Sequence, residues 1–291
     1  MRLGHVIFLF GNGTSIYAGS KSTMDFTLQK YAQNTEFVGI KEELDKVCSS
    51  VKGIEEQLNA LNTIRSYNKI IQNADKEKCV SELINKIKEQ LITSYVNSID
   101  YTNLKLHKYL LLKLRSFGAL PRTQIYTTNY DLAFEYTMDS LGIEYTDGFS
   151  GFVNRRFDPR SLTEDGKPSL VKIHGSVNWI NEKHRIKEIQ PKFIDGKLVI
   201  DDTAPVLIYP TSDKLYQTYS TPYSELMRHM LDEMETGSNV VLVFGYKYGD
   251  DHVNEILYKA LENPKNIFYF FIYGTLGECR AYARTTGSPR R

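Results

Sequence analysis

The sequence predicts a doubly wound α/β fold, a parallel sheet with helices on both faces and an inserted helical subdomain. Three observations lead there. Val6-Ile7-Phe8-Leu9-Phe10 is apolar without alternation and stops at Gly11, the pattern of a strand buried on both faces of a parallel sheet. Val240-Val241-Leu242-Val243-Phe244 repeats that design and stops at Gly245. Between the two, residues 41–116 hold a single glycine, Gly53, and no proline, with apolar residues recurring at helical spacing.

The first strand opens into Gly11-Asn12-Gly13-Thr14-Ser15. Two glycines one residue apart let the backbone turn sharply and approach a ligand. Thr14 and Ser15 are placed to cap a helix whose free N–H groups and dipole favour a phosphate. The expected ligand is therefore a nucleotide. The loop departs from the G-x-G-x-x-G fingerprint, because Ile16 stands where the third glycine belongs.

Leu58, Leu61 and Ile64, then Val80, Leu83, Ile84 and Ile87, then Leu91, Ile92 and Tyr95 mark out three or four helices with solvated, charged outer faces. Asn73-Ala74-Asp75 is the expected joint between two of them, with Asp75 as N-cap. His107 lies in an apolar stretch leading to Gly118 and Pro121 and is expected to be a packed structural residue.

Thr123-Gln124-Ile125-Tyr126-Thr127 reads as a second strand, followed by Thr128, Asn129, Tyr130 and Asp131 and then a helical pattern. Ligands of open parallel sheets bind beyond the carboxyl ends of the strands, so Thr128, Asn129 and Asp131 should share a crevice with the glycine loop. The competing reading is that Asn129 and Asp131 only cap the next helix. Residues 147–168 read as loop. Leu170 to Trp179 reads as a strand running into a turn, with His174 on the same carboxyl edge as Asn129. Phe193 to Ile200 has the form of a hairpin around Asp195-Gly196, and Pro205 to Pro210 is another strand or the hairpin's partner. Leu226, Met227, Met230, Leu231 and Met234 fall on one helix face, and Ile267 to Tyr273 is a last strand ending at Gly274. This alternation is Rossmann-like. It divides the chain into an α/β nucleotide-binding domain at residues 1–40 and 118–280, a helical insertion at 41–117 and a flexible tail at 281–291.

Composition excludes several classes. Lys plus Arg number 36 against 35 for Asp plus Glu, a net charge of +1. That balance speaks against a general basic surface for nucleic acid. Cys48, Cys79 and Cys279 lie far apart, which leaves neither a disulfide framework nor a four-cysteine zinc site. No run approaches the roughly 18 apolar residues of a membrane span, and the start carries Arg2 without a small-residue cleavage site. A soluble, cytoplasmic protein without a membrane partner is expected.

Together the motifs resemble those of sirtuins. Gly11-Asn12-Gly13-Thr14-Ser15 with Gly19 is similar to the sirtuin G-A-G-x-S turn, and Thr127-Thr128-Asn129-Tyr130-Asp131 to T-Q-N-x-D. Lys172-Ile173-His174-Gly175-Ser176 is similar to the catalytic x-x-H-G-S, and Gly245-Tyr246-Lys247-Tyr248-Gly249-Asp250 to the G-Y-x-x-x-D of bacterial sirtuin-like proteins of antiphage defence. The resemblance covers most of the chain outside residues 41–117. Sirtuin deacylases carry a four-cysteine zinc module after the catalytic histidine, and this chain has no cysteine from 80 to 278. Members without that module resemble NAD hydrolases.

The resemblance implies NAD as substrate, no zinc, and a homo-oligomer with a sensor or activator protein or a C-terminal domain outside this chain. Cleaving the N-glycosidic bond of NAD builds positive charge at the ribose C1′, so the site must hold the ribose, stabilise that charge and aim one water. Asn129, neutral and both donor and acceptor, suits water and ribose hydroxyls. His174 suits the base. Asp131 is weighed evenly between a bond to NAD and a brace of its own loop. Gly11, Asn12, Gly13, Thr14, Ser15 and Thr128 are expected on the pyrophosphate and ribose side, and Gly245 and Tyr246 on the adenosine side. NAD hydrolysis as an antiphage effector is the leading reading. A deacylase or ADP-ribosyltransferase is the second, and a non-catalytic nucleotide sensor or dehydrogenase-like domain the third. In that last case Glu36 would be the acid on the ribose.

Overall fold

A computed structural model describes residues 4–20, 28–32, 34–183, 185–195, 197–200, 205–208 and 218–271. The expected tail at 281–291, Cys279, Gly274, Gly196 and the segment Tyr209-Pro210 lie outside the described residues. Among the described residues, five strands form one parallel sheet: β1 (Val6–Phe10), β2 (Thr123–Thr127), β5 (Ser169–Lys172), β11 (Val240–Phe244) and β12 (Ile267–Phe271). Their order across the sheet is β12-β11-β1-β2-β5. Counted along the chain this is 5-4-1-2-3, so the order reverses between β1 and β11. That reversal is where doubly wound sheets open a ligand crevice.

The unalternated sequence of β1 follows from its central position. Ile7 and Leu9 face one apolar cluster, with Val241, Val243, Tyr126 and Val171, and Phe8 and Phe10 face another, with Ile125 and Leu170. Successive side chains of a strand point to opposite faces, so a strand packed on an apolar cluster on each side shows no alternation of apolar and polar residues. One face is covered by α7 (Tyr223–Glu235) through Leu226, Met230 and Met234 and by α8 (Asp251–Glu262) through Val253, Ile256 and Leu257. The other is covered by α5 (Lys105–Ser116) through Leu111 and Leu114 and by α6 (Ala133–Ser140) through Phe134 and Met138. His107 is buried against the Phe134 ring, 4.6 Å between centroids, a packing role as expected.

The helical unit has its own core. A short turn α1 (Gln29–Ala32) leads through Thr35–Ile40 to α2 (Lys41–Ser50), α3 (Ile54–Ile70) and α4 (Ala74–Ser98). Leu28, Phe37 and Ile40 pack with Leu44, Leu58, Leu61, Leu83, Ile84 and Ile87, so this core takes in residues before position 41, whereas α5 packs on the parallel sheet. Asn73, not Asp75, caps α4: its side chain accepts from the Lys76 N–H at 3.2 Å, and Asp75 falls in the first turn. Glu36 sits in the Thr35–Ile40 turn, ion-paired with Lys86, rather than at a strand end where it would meet a ribose.

Between residues 147 and 208, where the sequence reads as loop to 168, then a strand into a turn at 170–179, a hairpin, and a further strand or hairpin partner, there is a second, antiparallel sheet. Its order is β10 (Pro205–Leu207), β6 (Gly175–Glu182), β7 (Arg185–Glu188), β4 (Arg156–Phe157) and β3 (Phe149–Ser150). The expected hairpin is present beside it as β8 (Lys192–Ile194) and β9 (Lys197–Val199). No described helix is long and apolar enough to cross a membrane.

Arg155 ties this sheet together, bonding Asp147 at 2.8 Å and pairing with Glu188. Burial first, and the Asp147 charge second, push the Glu188 carboxyl from 4.5 up to about 7 against the pull of Arg155 and Asn178. A raised folded-state value means the folded protein holds a proton that the unfolded chain has released. The stability from this group is complete below about pH 4.5 and is lost as pH rises through about 7. Glu188→Gln is therefore expected to flatten the pH dependence of unfolding between those limits, as read from denaturant midpoints.

Candidate functional site

The site is assembled at the carboxyl edge of the parallel sheet. Phe244, Phe10, Thr127 and Lys172 are aligned across β11, β1, β2 and β5, so the loops that follow all leave at one level. Asn129 lies two residues past Thr127 and His174 two residues past Lys172, beyond the ends of neighbouring strands. Both side chains are buried, 7% and 4% exposed. The sequence-predicted pair is thus brought to one edge.

The loop after β1 departs from expectation. No helix starts at Thr14 and Ser15; Asn12–Thr14 and Ile16–Ala18 form two 3-10 turns without side-chain caps. The N–H groups of Gly11 and Gly13 donate to the Phe244 and Gly245 carbonyls, both at 3.0 Å, and those of Thr14 and Ser15 donate to Gly11 and Asn12 at 3.1 and 3.0 Å. These amides are committed inside the protein rather than fanned toward an anion. The glycines serve a different close approach. A Cβ on Gly13 would lie 2.6 Å from the Gly245 Cα, and one on Gly11 would lie 2.5 Å from the Gly245 carbonyl oxygen. Because β1 and β11 are neighbours at the reversal point, their loops interlock, and only glycine leaves room.

Asn129 is gripped from both sides. Its N–H donates to the Thr127 hydroxyl at 3.0 Å, and its Nδ2 donates to the hydroxyls of Thr14 and Ser15, both at 3.2 Å. This fixes the amide with its oxygen elsewhere. Oδ1 is buried and has no hydrogen-bond partner among the described residues. A buried acceptor left unmatched costs about 1–3 kcal/mol, so such groups call for an ordered water or a ligand. Thr128 closes the same edge, its N–H donating to the Phe10 carbonyl at 3.0 Å.

Asp131 braces its own loop. Its Oδ1 accepts from the Ala133 N–H at 3.0 Å at the start of α6. The loop is held from below by Lys172, whose ammonium donates to the carbonyls of Tyr130, at 3.2 Å, and Asp131, and pairs with Glu135 at 2.9 Å. Lys172 is 3% exposed, and burial raises the Glu135 carboxyl above its ordinary range even with that partner. Lys172→Met should cost about 3–5 kcal/mol of unfolding free energy, because a buried carboxylate loses its counter-charge. The double variant Lys172→Met/Glu135→Leu should recover part of the loss, measured by urea unfolding.

His174 is set by the turn that follows it. Gly175 has φ +89°, and a Cβ there would lie 2.1 Å from the Val206 carbonyl oxygen, so β10 packs directly on the turn. The His174 carbonyl accepts from the Ile208 N–H at 2.9 Å. Its Nε2 meets Nε2 of His252 at 3.0 Å, and Asp250 completes a cluster whose ligand atoms all lie within 4.8 Å of one another. His252 was not singled out from sequence, and Asp250 only as the acid that ends the G-Y-x-x-x-D segment; both follow within seven residues of the glycine that stops β11. β11 and β5 are three strand spacings apart, about 14 Å, so the β11 loop arches over the ends of β1 and β2 to reach His174. Gly245 belongs to the loop interlock. The Tyr246 ring is packed in the core, with its hydroxyl donating to the Asp250 carbonyl and Asn254 Oδ1, both at 3.2 Å, which leaves only its backbone for the crevice.

A doubly wound parallel sheet with buried amide and imidazole groups at its carboxyl edge defines an α/β protein of the Rossmann-like class. The chain belongs to the SIR2-like domain family, whose sequence profile matches residues 123–287. Members commonly use NAD, so NAD binding or use is the general activity of this chain. The match begins at the first residue of β2; it includes Asn129, His174 and Gly245, and the glycine loop precedes it. Comparison with curated proteins gives no match.

Proposed function

We propose that the chain hydrolyses NAD to nicotinamide and ADP-ribose. The observation that carries this reading is the buried, unmatched Oδ1 of Asn129 at the same level of the sheet as His174. Asn129 Oδ1 accepts from a ribose hydroxyl or from the attacking water. Its amide cannot turn away while Thr14 and Ser15 hold Nδ2. His174 takes the proton that the water or the ribose hydroxyl gives up. The bond from C1′ to the pyridinium nitrogen breaks with its electron pair leaving on nicotinamide, water oxygen bonds to C1′, and one proton is released. A base of this kind supplies about 10²- to 10⁴-fold, and positioning by the braced 128–131 loop supplies more.

Incubation with NAD and chromatography of the products tests the reading. Equimolar nicotinamide and ADP-ribose, formed without any protein substrate, is the expected result. Nicotinamide release that requires an acylated peptide would place the chain among deacylases instead. The resemblance of Gly245 to Asp250 to antiphage sirtuin-like proteins supports a role in draining NAD from infected cells. NAD levels in phage-challenged bacteria expressing the wild-type chain or the His174→Ala variant test that role.

A further inference from the structure

We propose that His174, Asp250 and His252 form a binding site for a divalent transition cation, with zinc the first candidate. Two imidazoles and one carboxylate are a donor set suited to zinc and its neighbours rather than to calcium or magnesium, which take oxygen ligands. The spacing fits. Tetrahedral zinc with Zn–N bonds of about 2.0–2.1 Å separates its ligand atoms by about 3.3 Å. The two Nε2 atoms are 3.0 Å apart, and the third ligand atom lies within 4.8 Å of both. In the cation-free pair one ring nitrogen must donate and the other accept. A cation would take the place of that shared proton.

Local structure holds these donors in place. Asp250 occupies the N-cap position of α8, yet its side chain makes no capping hydrogen bond. Its main-chain carbonyl is instead pinned by the N–H groups of Val253 and Asn254, both at 3.0 Å, and by the Tyr246 hydroxyl. Asn254 is itself fixed, its Nδ2 donating to the Tyr248 carbonyl at 2.8 Å. These bonds fix the backbone that carries the Asp250 carboxylate and the start of the helix that carries His252. His174 arrives from the opposite side, on the rigid turn before Gly175.

The consequence for hydrolysis rests on the reading given above, whereas cation binding does not. A cation on Nε2 withdraws His174 from proton transfer, and a dication beside C1′ opposes the positive charge that develops there. Occupancy therefore holds the hydrolase off, and its removal releases it.

The test uses the chelator-treated full chain titrated with zinc by calorimetry, and with Co²⁺ by electronic absorption. One equivalent should bind. His252→Ala should weaken binding at least about tenfold and Asp250→Asn should weaken it measurably. Cys48→Ser/Cys79→Ser should leave it unchanged. Circular dichroism checks folding, and should His252→Ala not fold, Asp250→Asn and the wild-type Co²⁺ spectrum still decide. No saturable binding, wild-type affinity in both the Asp250 and His252 variants, or a thiolate charge-transfer band would overturn the site. In a parallel assay zinc should slow nicotinamide release by the wild type; if it binds without slowing turnover, the regulatory consequence falls. Chelator-treated protein that releases no nicotinamide would count against the hydrolase reading and leave the binding result standing.

Discussion

His174→Ala and Asn129→Ala are each expected to lower nicotinamide release by about 10²- to 10⁴-fold while the protein stays folded. The two losses should differ in kind. His174 carries a proton only as the bond breaks, so its removal should fall on kcat and leave KM nearly unchanged. Asn129 Oδ1 is an acceptor already in place before substrate arrives, and its removal should raise KM as well as lower kcat. Asn129→Ala also leaves the Thr14 and Ser15 hydroxyls without their donor, a cost of about 1–3 kcal/mol that thermal unfolding would register. Turnover within a few-fold of wild type in both variants, with intact folding, would remove these side chains from the chemistry.

The second large effect concerns the interlock of the two glycine loops. Gly245→Ala is expected to cost about 2–5 kcal/mol of stability and to depress activity with it. Two terms contribute. Gly245 has φ +61°, which costs an L-residue about 1–2 kcal/mol. The new Cβ would lie 2.7 Å from the Gly13 Cα and 2.8 Å from the Thr14 nitrogen, backbone atoms that cannot rotate away, and such overpacking typically costs a further 1–3 kcal/mol, roughly. Gly142→Ala separates the terms, because Gly142 has the same φ of +61° with nothing within 4 Å of its would-be Cβ. Denaturant unfolding of both variants should show the Gly142 variant losing only the conformational part. Equal losses would mean that the loops yield to each other and that the interlock does not position the site.

Much of the architecture was legible because it is written in local patterns. A five-residue unalternated apolar run bounded by glycine reads as a strand covered on both faces, and β1 and β11 are such strands. Helical periodicity likewise marked α3 and α4, although its last two runs, read as separate, fall on the single helix α4. The antiparallel sheet was harder to read. β3 and β4 are two residues each, too short to show a period, and they are held by partners as distant as β7.

For the site, the sequence by itself determined which residue types stand at the ends of the strands: glycines after β1 and β11, an asparagine after β2 and a histidine after β5. Those positions depend only on where each apolar run stops. Tertiary structure alone decided what they do for one another. It turned Asp131 inward to brace its helix, spent the loop amides on each other and set Gly13 against Gly245. It also carried His252 over two strand ends to meet His174, 78 residues away in the chain. The physical reason is that periodicity and turn chemistry are properties of neighbouring residues. Contacts across the carboxyl edge are set by strand order, which no short stretch of chain encodes.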